Sequence, residues 1–177
     1  MSENDKREAG STGLTTTDAD RFATVLGNGQ RLIGIDQGSK TLGLALSDVE
    51  RFIASPLETI RRGKFSEDAQ RLLDLAHRHG VGGLVVGLPV SLDGSEGPRA
   101  QSARAFARNL NRLSTLPILL WDERMTTAAA ERMLIEADRS RARRSELIDK
   151  VAATLILQGA LDRMRLADIG RHPSPGA

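Results

Sequence analysis

Two apolar runs joined by a short polar turn constrain the fold more than any other stretch of the chain. The first run, residues 31–35, ends in Asp36, the turn contains Gly38-Ser-Lys40, and apolar residues resume at once in residues 42–46. Short apolar runs on either side of a glycine-containing turn are typical of a buried strand and a second, antiparallel strand. The pattern predicts a hairpin with Asp36 at a strand end, beside a turn whose amides and Lys40 can meet phosphate.

The rest of the chain alternates strand and helix patterns. Pro56 indicates an edge position for the third strand, and Pro98 suits the first position of a helix. Capping residues indicate where the other two helices begin, at Ser66 and at Ser145. The predicted elements are strands at 52–60, 83–88 and 117–121 and helices at about 66–79, 98–113 and 145–165. The prediction is an α/β fold with a five-stranded mixed sheet, a three-stranded antiparallel meander plus two parallel strands, and helices on both faces.

One domain fits a chain of 177 residues. Residues 1–28 are polar and lack a sustained period, which predicts a flexible tail in which Phe22, Val25 and Leu26 can form a short docking turn. Residues 29–166 are predicted to form the folded domain, and residues 167–177 a frayed C-terminal tail.

The amino-acid composition excludes several kinds of functional site and limits how a nucleic acid could be bound. The chain has no cysteine, which excludes disulfides, thiolate metal sites and cysteine nucleophiles. It has no apolar stretch of the roughly 18 residues that a membrane span needs and no signal-like start, so we predict a cytoplasmic protein with no membrane contact.

The 20 N-terminal residues carry a net charge of −3, which leaves +5 for the remainder. Because aromatic residues are few, a nucleic-acid partner would be bound mainly through its phosphates; a solvated basic surface is the alternative.

Acidic residues stand where element ends should converge. They are Asp36 after the first strand, Asp122 or Glu123 after the last, and Asp149 in the final helix. Asp149 lies at the edge of a predicted apolar face formed by Leu147, Ile148, Val151, Ala152, Leu155, Ile156 and Gly159. Several carboxylates without cysteine or a close histidine pair suit Mg²⁺ or Mn²⁺, and two such ions can promote phosphodiester cleavage. Each acid has a structural alternative, as a turn or cap residue or, for Asp149, as a partner of the helix dipole.

Four motifs in order resemble the YqgF/RuvX family of ribonuclease-H-like proteins over about residues 31–163. They are Gly-Ile-Asp-Gln-Gly-Ser-Lys at 34–40, Val-Gly-Leu-Pro at 86–89 with Asp-Gly at 93–94, Trp-Asp-Glu-Arg-Met-Thr-Thr at 121–127, and the segment 148–158. The resemblance implies the ribonuclease H fold and a nuclease, named either as a Holliday junction resolvase or as a processor of the 5′ end of pre-16S ribosomal RNA. It also implies that Asp36, Glu123 and Asp149 are the catalytic, metal-binding set, with Asp122 as the alternate. In the wider superfamily an acid usually follows the fourth strand, where this chain has Gly87-Leu-Pro89.

Positive residues near these acids are the predicted nucleic-acid contacts. They are Lys40, Arg124, Arg139, Arg141, Arg143, Arg144 and Lys150. Arg104, Arg108 and Arg112, which recur every four residues, are interpreted as a solvated helix face.

Other functions remain open at this level. One is a catalytically silent nucleic-acid-binding factor with the same fold. Another is an ATPase or kinase of the actin-like group, although that group needs a second copy of the domain and this chain has room for one. A junction resolvase would require a two-fold homodimer, whereas an RNA-trimming enzyme would not.

Overall fold

The computed structural model describes residues 13–125 and 141–171, with the backbone alone for residues 141–147. The described part contains six strands and four helices. The strands are β1 (Thr15–Thr16), β2 (Arg31–Gln37), β3 (Thr41–Ser47), β4 (Ala54–Arg61), β5 (Val81–Leu88) and β6 (Ile118–Asp122). The helices are α1 (Ala19–Thr24), α2 (Phe65–Arg78), α3 (Pro98–Asn111) and α4 (Arg141–Arg171), and one 3₁₀ turn (Glu123–Met125) follows β6.

The strands form one mixed sheet in the order β1-β6-β5-β2-β3-β4. The strands β2, β3 and β4 form the predicted antiparallel meander, and β5 and β6 add to it in parallel with β2. Pro56 lies on the edge strand β4, as predicted. The difference is a sixth strand, because Thr15 and Thr16 pair in parallel with Ile118 and Leu119. Two residues are too few to show a strand period, which is why the sequence did not indicate β1.

Apolar side chains cover both faces of the sheet, which confirms the prediction of helices on both sides. On one face, α2 and α3 pack on β2, β3 and β5, and fully buried strand residues such as Ile33 and Leu84 belong to this cluster. On the other face, α1 and α4 pack on alternate residues of the same strands, among them Leu32 and Val85. All eight residues of β5 are buried, as expected of a central parallel strand.

Part of the predicted N-terminal tail belongs to the fold. In α1 the Phe22 side chain is fully buried in the cluster beneath α4, whereas Val25 is half exposed. Asp18 caps α1 by accepting hydrogen bonds from the backbone N–H groups of Asp20 and Arg21. The prediction of a flexible tail across residues 1–28 is therefore wrong for the stretch from Thr15 to Thr24, because the burial of one phenylalanine and this cap hold it on the sheet.

Two helices begin earlier than predicted. Lys64 precedes α2, so Ser66 lies inside the first turn, and the Asp68 carboxylate instead accepts hydrogen bonds of 3.1 and 3.2 Å from the Gly63 N–H. Helix α4 is already formed at Arg141, which places Ser145 in its interior, and it continues to Arg171. Arginine and alanine are good helix formers, so the helix includes residues 141–144, ahead of its predicted start.

Among the residues that the structure describes, none of the helices combines the length and apolar character that crossing a bilayer requires.

Candidate active site

The carboxyl ends of β2, β5 and β6 meet at one edge of the sheet, because these three neighbouring strands are parallel. Asp36 is the penultimate residue of β2 and pairs across the hairpin with Gly43 of β3. Asp122 ends β6 opposite Leu88 of β5, and Glu123 begins the 3₁₀ turn that follows. This register places Asp36 of β2 and the two acids at the end of β6 at the same edge of the sheet, with β5 between them.

Gly87 leaves room for the Glu123 side chain above β5. A methyl group on Gly87 would lie 2.6 Å from Glu123 Oε1 and 2.5 Å from the Ile156 side chain, which is closer than real methyl contacts allow. The Glu123 carboxylate thus lies over the middle strand, directly above Gly87. Glu123 follows the neighbouring strand β6, and its side chain fits above β5 because residue 87 is a glycine.

Asp149 reaches the same edge from α4. A methyl group on Gly43 would overlap the backbone carbonyl of Asp149, so the helix lies directly on β3 at the residue paired with Asp36. The Thr41 hydroxyl donates a 2.6 Å hydrogen bond to Asp149 Oδ2. Asp149 is the ninth residue of α4, about 12 Å from its start. The dipole interpretation of Asp149 therefore loses its support, since that effect is confined to the first turn.

The three carboxylates interact through their charges. Burial, followed by the negative charges of Glu123 and Asp149, raises the pKa of Asp36 from 3.8 to about 6, while the Arg99 guanidinium acts in the opposite direction. Burial also raises the pKa of Glu123, and Arg99 again opposes the shift. Buried like charges of this kind are common at functional sites, because they favour binding of a proton or a cation.

Asp122 has a different environment. Its carboxylate accepts hydrogen bonds from the Arg124 side chain at 2.6 to 3.1 Å and from the Arg124 backbone N–H at 2.9 Å. These bonds to Arg124 lower the pKa of Asp122. Asp122 is thus held as an anion by its neighbour, while Glu123 is the acid of this pair whose charge acts on Asp36.

A cleft of about 590 Å³ opens beside Asp149. Lys40 and Thr41 of the hairpin line it, together with Arg62 and Arg99. Sequence reasoning found Lys40 but missed Arg62 and Arg99. One signal for Arg99 was available: a cation in the first turn of a helix is unfavourable to the helix dipole, so its presence there suggests another role.

The remaining predicted basic contacts are distributed unevenly. Arg124 lines a second cleft, of about 460 Å³, which also contains Glu123. Lys150 follows Asp149 in α4 and is half-buried. Arg139 lies outside the described residues. The backbone of Arg141, Arg143 and Arg144 lies in the first turn of α4, and their contact with nucleic acid stays a prediction.

The donor chemistry fits a hard divalent cation. Asp36, Glu123 and Asp149 offer only carboxylate oxygens, which suit Mg²⁺ or Mn²⁺. In residues 13–125 and 141–171 no three acidic or histidine side chains are already drawn together as a ready-made ligand set. Burial and then the repulsion from Glu123 and Asp149 raise the pKa of Asp36, and a bound cation would relieve this repulsion.

Comparison with known proteins finds a matching family model and relatives of high sequence identity. A family model described as "RuvX: Holliday junction resolvase" matches residues 30–163. A protein of Paramagnetospirillum magneticum is 61% identical over 137 residues, covering 77% of this chain and 88% of that protein. One from Rhodobacter capsulatus is 59% identical over 152 residues, covering 86% and 94%. Both carry the name "Putative pre-16S rRNA nuclease".

Solved structures share the fold at low sequence identity. The structure of Thermus thermophilus RuvC is 18% identical with a TM-score of 0.50, covering 77% of this chain and 97% of that one. The crystal structure of the yeast mitochondrial Holliday junction resolvase is 11% identical with a TM-score of 0.54, covering 87% of each chain. These values establish a common architecture and no more.

Proposed function

The chain belongs to the RuvX family, and from that membership we propose that it is a divalent-metal-dependent nuclease that hydrolyses phosphodiester bonds in structured nucleic acid. The observation that supports the proposal is that buried Asp36, at the end of β2, is affected by the negative charges of both Glu123 and Asp149. Basic side chains line the adjoining cleft, which suits a polyanionic substrate.

In this proposal Asp36, Glu123 and Asp149 hold Mg²⁺ or Mn²⁺, with two ions as the expected number. Such ions activate water and stabilise the leaving oxygen of a phosphodiester. The protein supplies the rest: Thr41 fixes the orientation of the Asp149 carboxylate through its hydrogen bond. Lys40 lies exposed at the hairpin turn, where it can meet a substrate phosphate.

For the substrate, we propose the 5′ region of pre-16S ribosomal RNA as the first candidate. The support is the name shared by relatives that are about 60% identical to this chain over most of their length. The second candidate is the Holliday junction, which the family description names. Resolving a junction by paired cuts would require a two-fold homodimer, so the oligomeric state helps to separate the two candidates.

The proposal is tested by incubating the purified full chain with three substrates: a precursor 16S RNA fragment, a four-way DNA junction and an unbranched DNA duplex. Each is incubated with Mg²⁺, with Mn²⁺ and with excess chelator. We expect cleavage of the precursor RNA or of the junction with either metal and none with chelator. Binding of these substrates without cleavage in any metal would instead favour a catalytically silent factor. Cleavage that persists in chelator would contradict metal dependence.

A further inference from the structure

Two clefts flank the carboxylates and meet at one arginine. The larger cleft contains Asp149 and the smaller contains Glu123, so the clefts lie on different sides of the acidic centre. The residues that line both are Pro98 and Arg99, at the start of α3. Arg99 thus lies between the two clefts, close to the carboxylates.

The Arg99 side chain is available for an anionic ligand. Arg99 is exposed, and within the described residues it makes no ion pair at 4.0 Å or less. Other arginines near the site are engaged, since Arg62 donates a 2.6 Å hydrogen bond to the Gly38 carbonyl and Arg124 is paired with Asp122. Arg99 lies near enough to Asp36 and Glu123 to influence both carboxylates. A guanidinium so placed can reach a phosphate that sits at the acids.

The lining of the two clefts favours a sugar-phosphate backbone over bases. Among the described residues, no aromatic side chain lines either cleft. Instead the larger cleft offers Lys40, Arg62 and the Ser102 hydroxyl, and the smaller offers Ser91 and Arg124. Stacking on aromatic rings is the usual means of holding unpaired bases, whereas cations and hydroxyls bind phosphates without reading sequence.

We propose that Arg99 binds the substrate phosphate at the acidic centre, and that one strand runs from the cleft containing Lys40 past Arg99 into the cleft containing Ser91. This inference rests on the proposed function, since it assigns the substrate path to the same site. The Arg99 guanidinium donates its N–H groups to the non-bridging oxygens, a geometry that lysine cannot reproduce with two parallel bonds. The strand is held by its phosphates, so binding is independent of base sequence.

The test compares the full-length wild-type protein with Arg99→Ala, Arg99→Lys and Arg108→Ala. Arg108 is an exposed arginine on the same helix, outside both clefts, and serves as the matched control. Affinity for the four-way junction and for the precursor RNA is measured in chelator over a series of salt concentrations, with two unrelated base sequences for each. Single-turnover cleavage is measured in Mg²⁺, and circular dichroism checks that each variant is folded.

We expect Arg99→Ala to reduce affinity about 10-fold and to lower the salt slope by about one, equally for both base sequences. Arg99→Lys should restore the slope while cleaving at least about 10-fold more slowly than wild type. Arg108→Ala should match wild type. An unchanged affinity and slope in Arg99→Ala overturns the inference, as does a loss confined to one base sequence. If wild type cleaves nothing, the proposed function fails, and the binding series still decides the role of Arg99.

Discussion

Thr41 Oγ1 donates a 2.6 Å hydrogen bond to Asp149 Oδ2, which ties the first residue of β3 to the third turn of α4 across 108 positions of sequence. Removing the donor should leave the carboxylate free to rotate. We expect Thr41→Val, which keeps the side-chain shape, to slow Mg²⁺-dependent cleavage about 10- to 100-fold, as is typical when a residue that orients a metal ligand is lost. Thr41→Ser should stay close to the wild-type rate. Equal rates for the valine variant and wild type would show that this bond does not support catalysis.

Gly87→Ala should displace the Glu123 carboxylate. The added methyl group would lie 2.6 Å from Glu123 Oε1 and 2.5 Å from the Ile156 side chain. We expect a loss of about 1–3 kcal/mol in the free energy of unfolding, as for other overpacked sites, together with slower cleavage. Urea denaturation and single-turnover rates measure the two effects. Gly170→Ala is the control, because nothing lies within 4 Å of its Cβ position and alanine favours a helix. A Gly87→Ala variant with wild-type stability and rate would contradict the packing described here.

Much of the fold follows from local patterns. The hairpin around residues 38–40, the buried strand β5 and the Pro98 start of α3 were predictable because periodicity and turn residues mark them. The face of α4 that packs on the sheet was not predictable in this way. The predicted face included Val151 and Leu155, which are half-buried, and Ile156, which is buried as predicted. The other buried residues in the described part of the helix are Ala153, Leu157, Ala160, Leu161 and Met164. Hydrophobicity alone does not predict which face contacts the sheet, because the contact depends on Gly34: a methyl group there would lie 2.6 Å from Leu157 Cβ and 2.8 Å from the Ala153 carbonyl oxygen.

Glu123 and Asp122 should differ sharply when each is replaced by its amide. Glu123→Gln removes the charge that acts on Asp36, so we expect the cleavage rate in Mg²⁺ to fall at least 100-fold, about 3 kcal/mol. Asp122→Asn breaks a partly exposed ion pair with Arg124, which should change stability by about 1 kcal/mol or less and leave most of the rate. Titration of the metal ion with each variant separates loss of binding from loss of turnover. The reverse ranking would make Asp122 the functional acid.

The sequence indicated the candidate acids of the site but could not measure their proximity. Asp36 and Asp149 were identified by their positions at element ends, and the ambiguity between Asp122 and Glu123 arose because neighbouring residues share the same strand end. The structure separates them through two contacts that no local pattern encodes: the Arg124 pair of Asp122, and the space above Gly87 that Glu123 occupies. Arg62 belongs to no motif, and Arg99 has only the signal of a cation in the first turn of a helix, so the structure was needed to place both in the cleft.

Asp36→Asn should stabilise the metal-free fold in a pH-dependent way. The folded pKa of Asp36, about 6, lies above 3.8, so the folded state binds more protons than the unfolded state between these values. The contribution of this carboxyl to stability is therefore full below pH 3.8 and is lost as the pH rises through about 6. At pH 8 in chelator we expect Asp36→Asn to exceed wild type by up to about 3 kcal/mol in urea denaturation, and at pH 4 by little. A difference that does not vary with pH would refute the burial and charge assigned to Asp36.

The central claim, that Asp36, Glu123 and Asp149 form a metal-dependent hydrolytic centre, is tested most directly by the single-turnover cleavage rate of Asp36→Asn in Mg²⁺. The measurement uses precursor 16S RNA and the four-way junction, with circular dichroism and thermal unfolding as checks on the fold. We predict a folded protein whose rate is at least about 1,000-fold below wild type, since losing several kcal/mol of charge stabilisation has that effect. A folded Asp36→Asn variant that cleaves at the wild-type rate would contradict the claim.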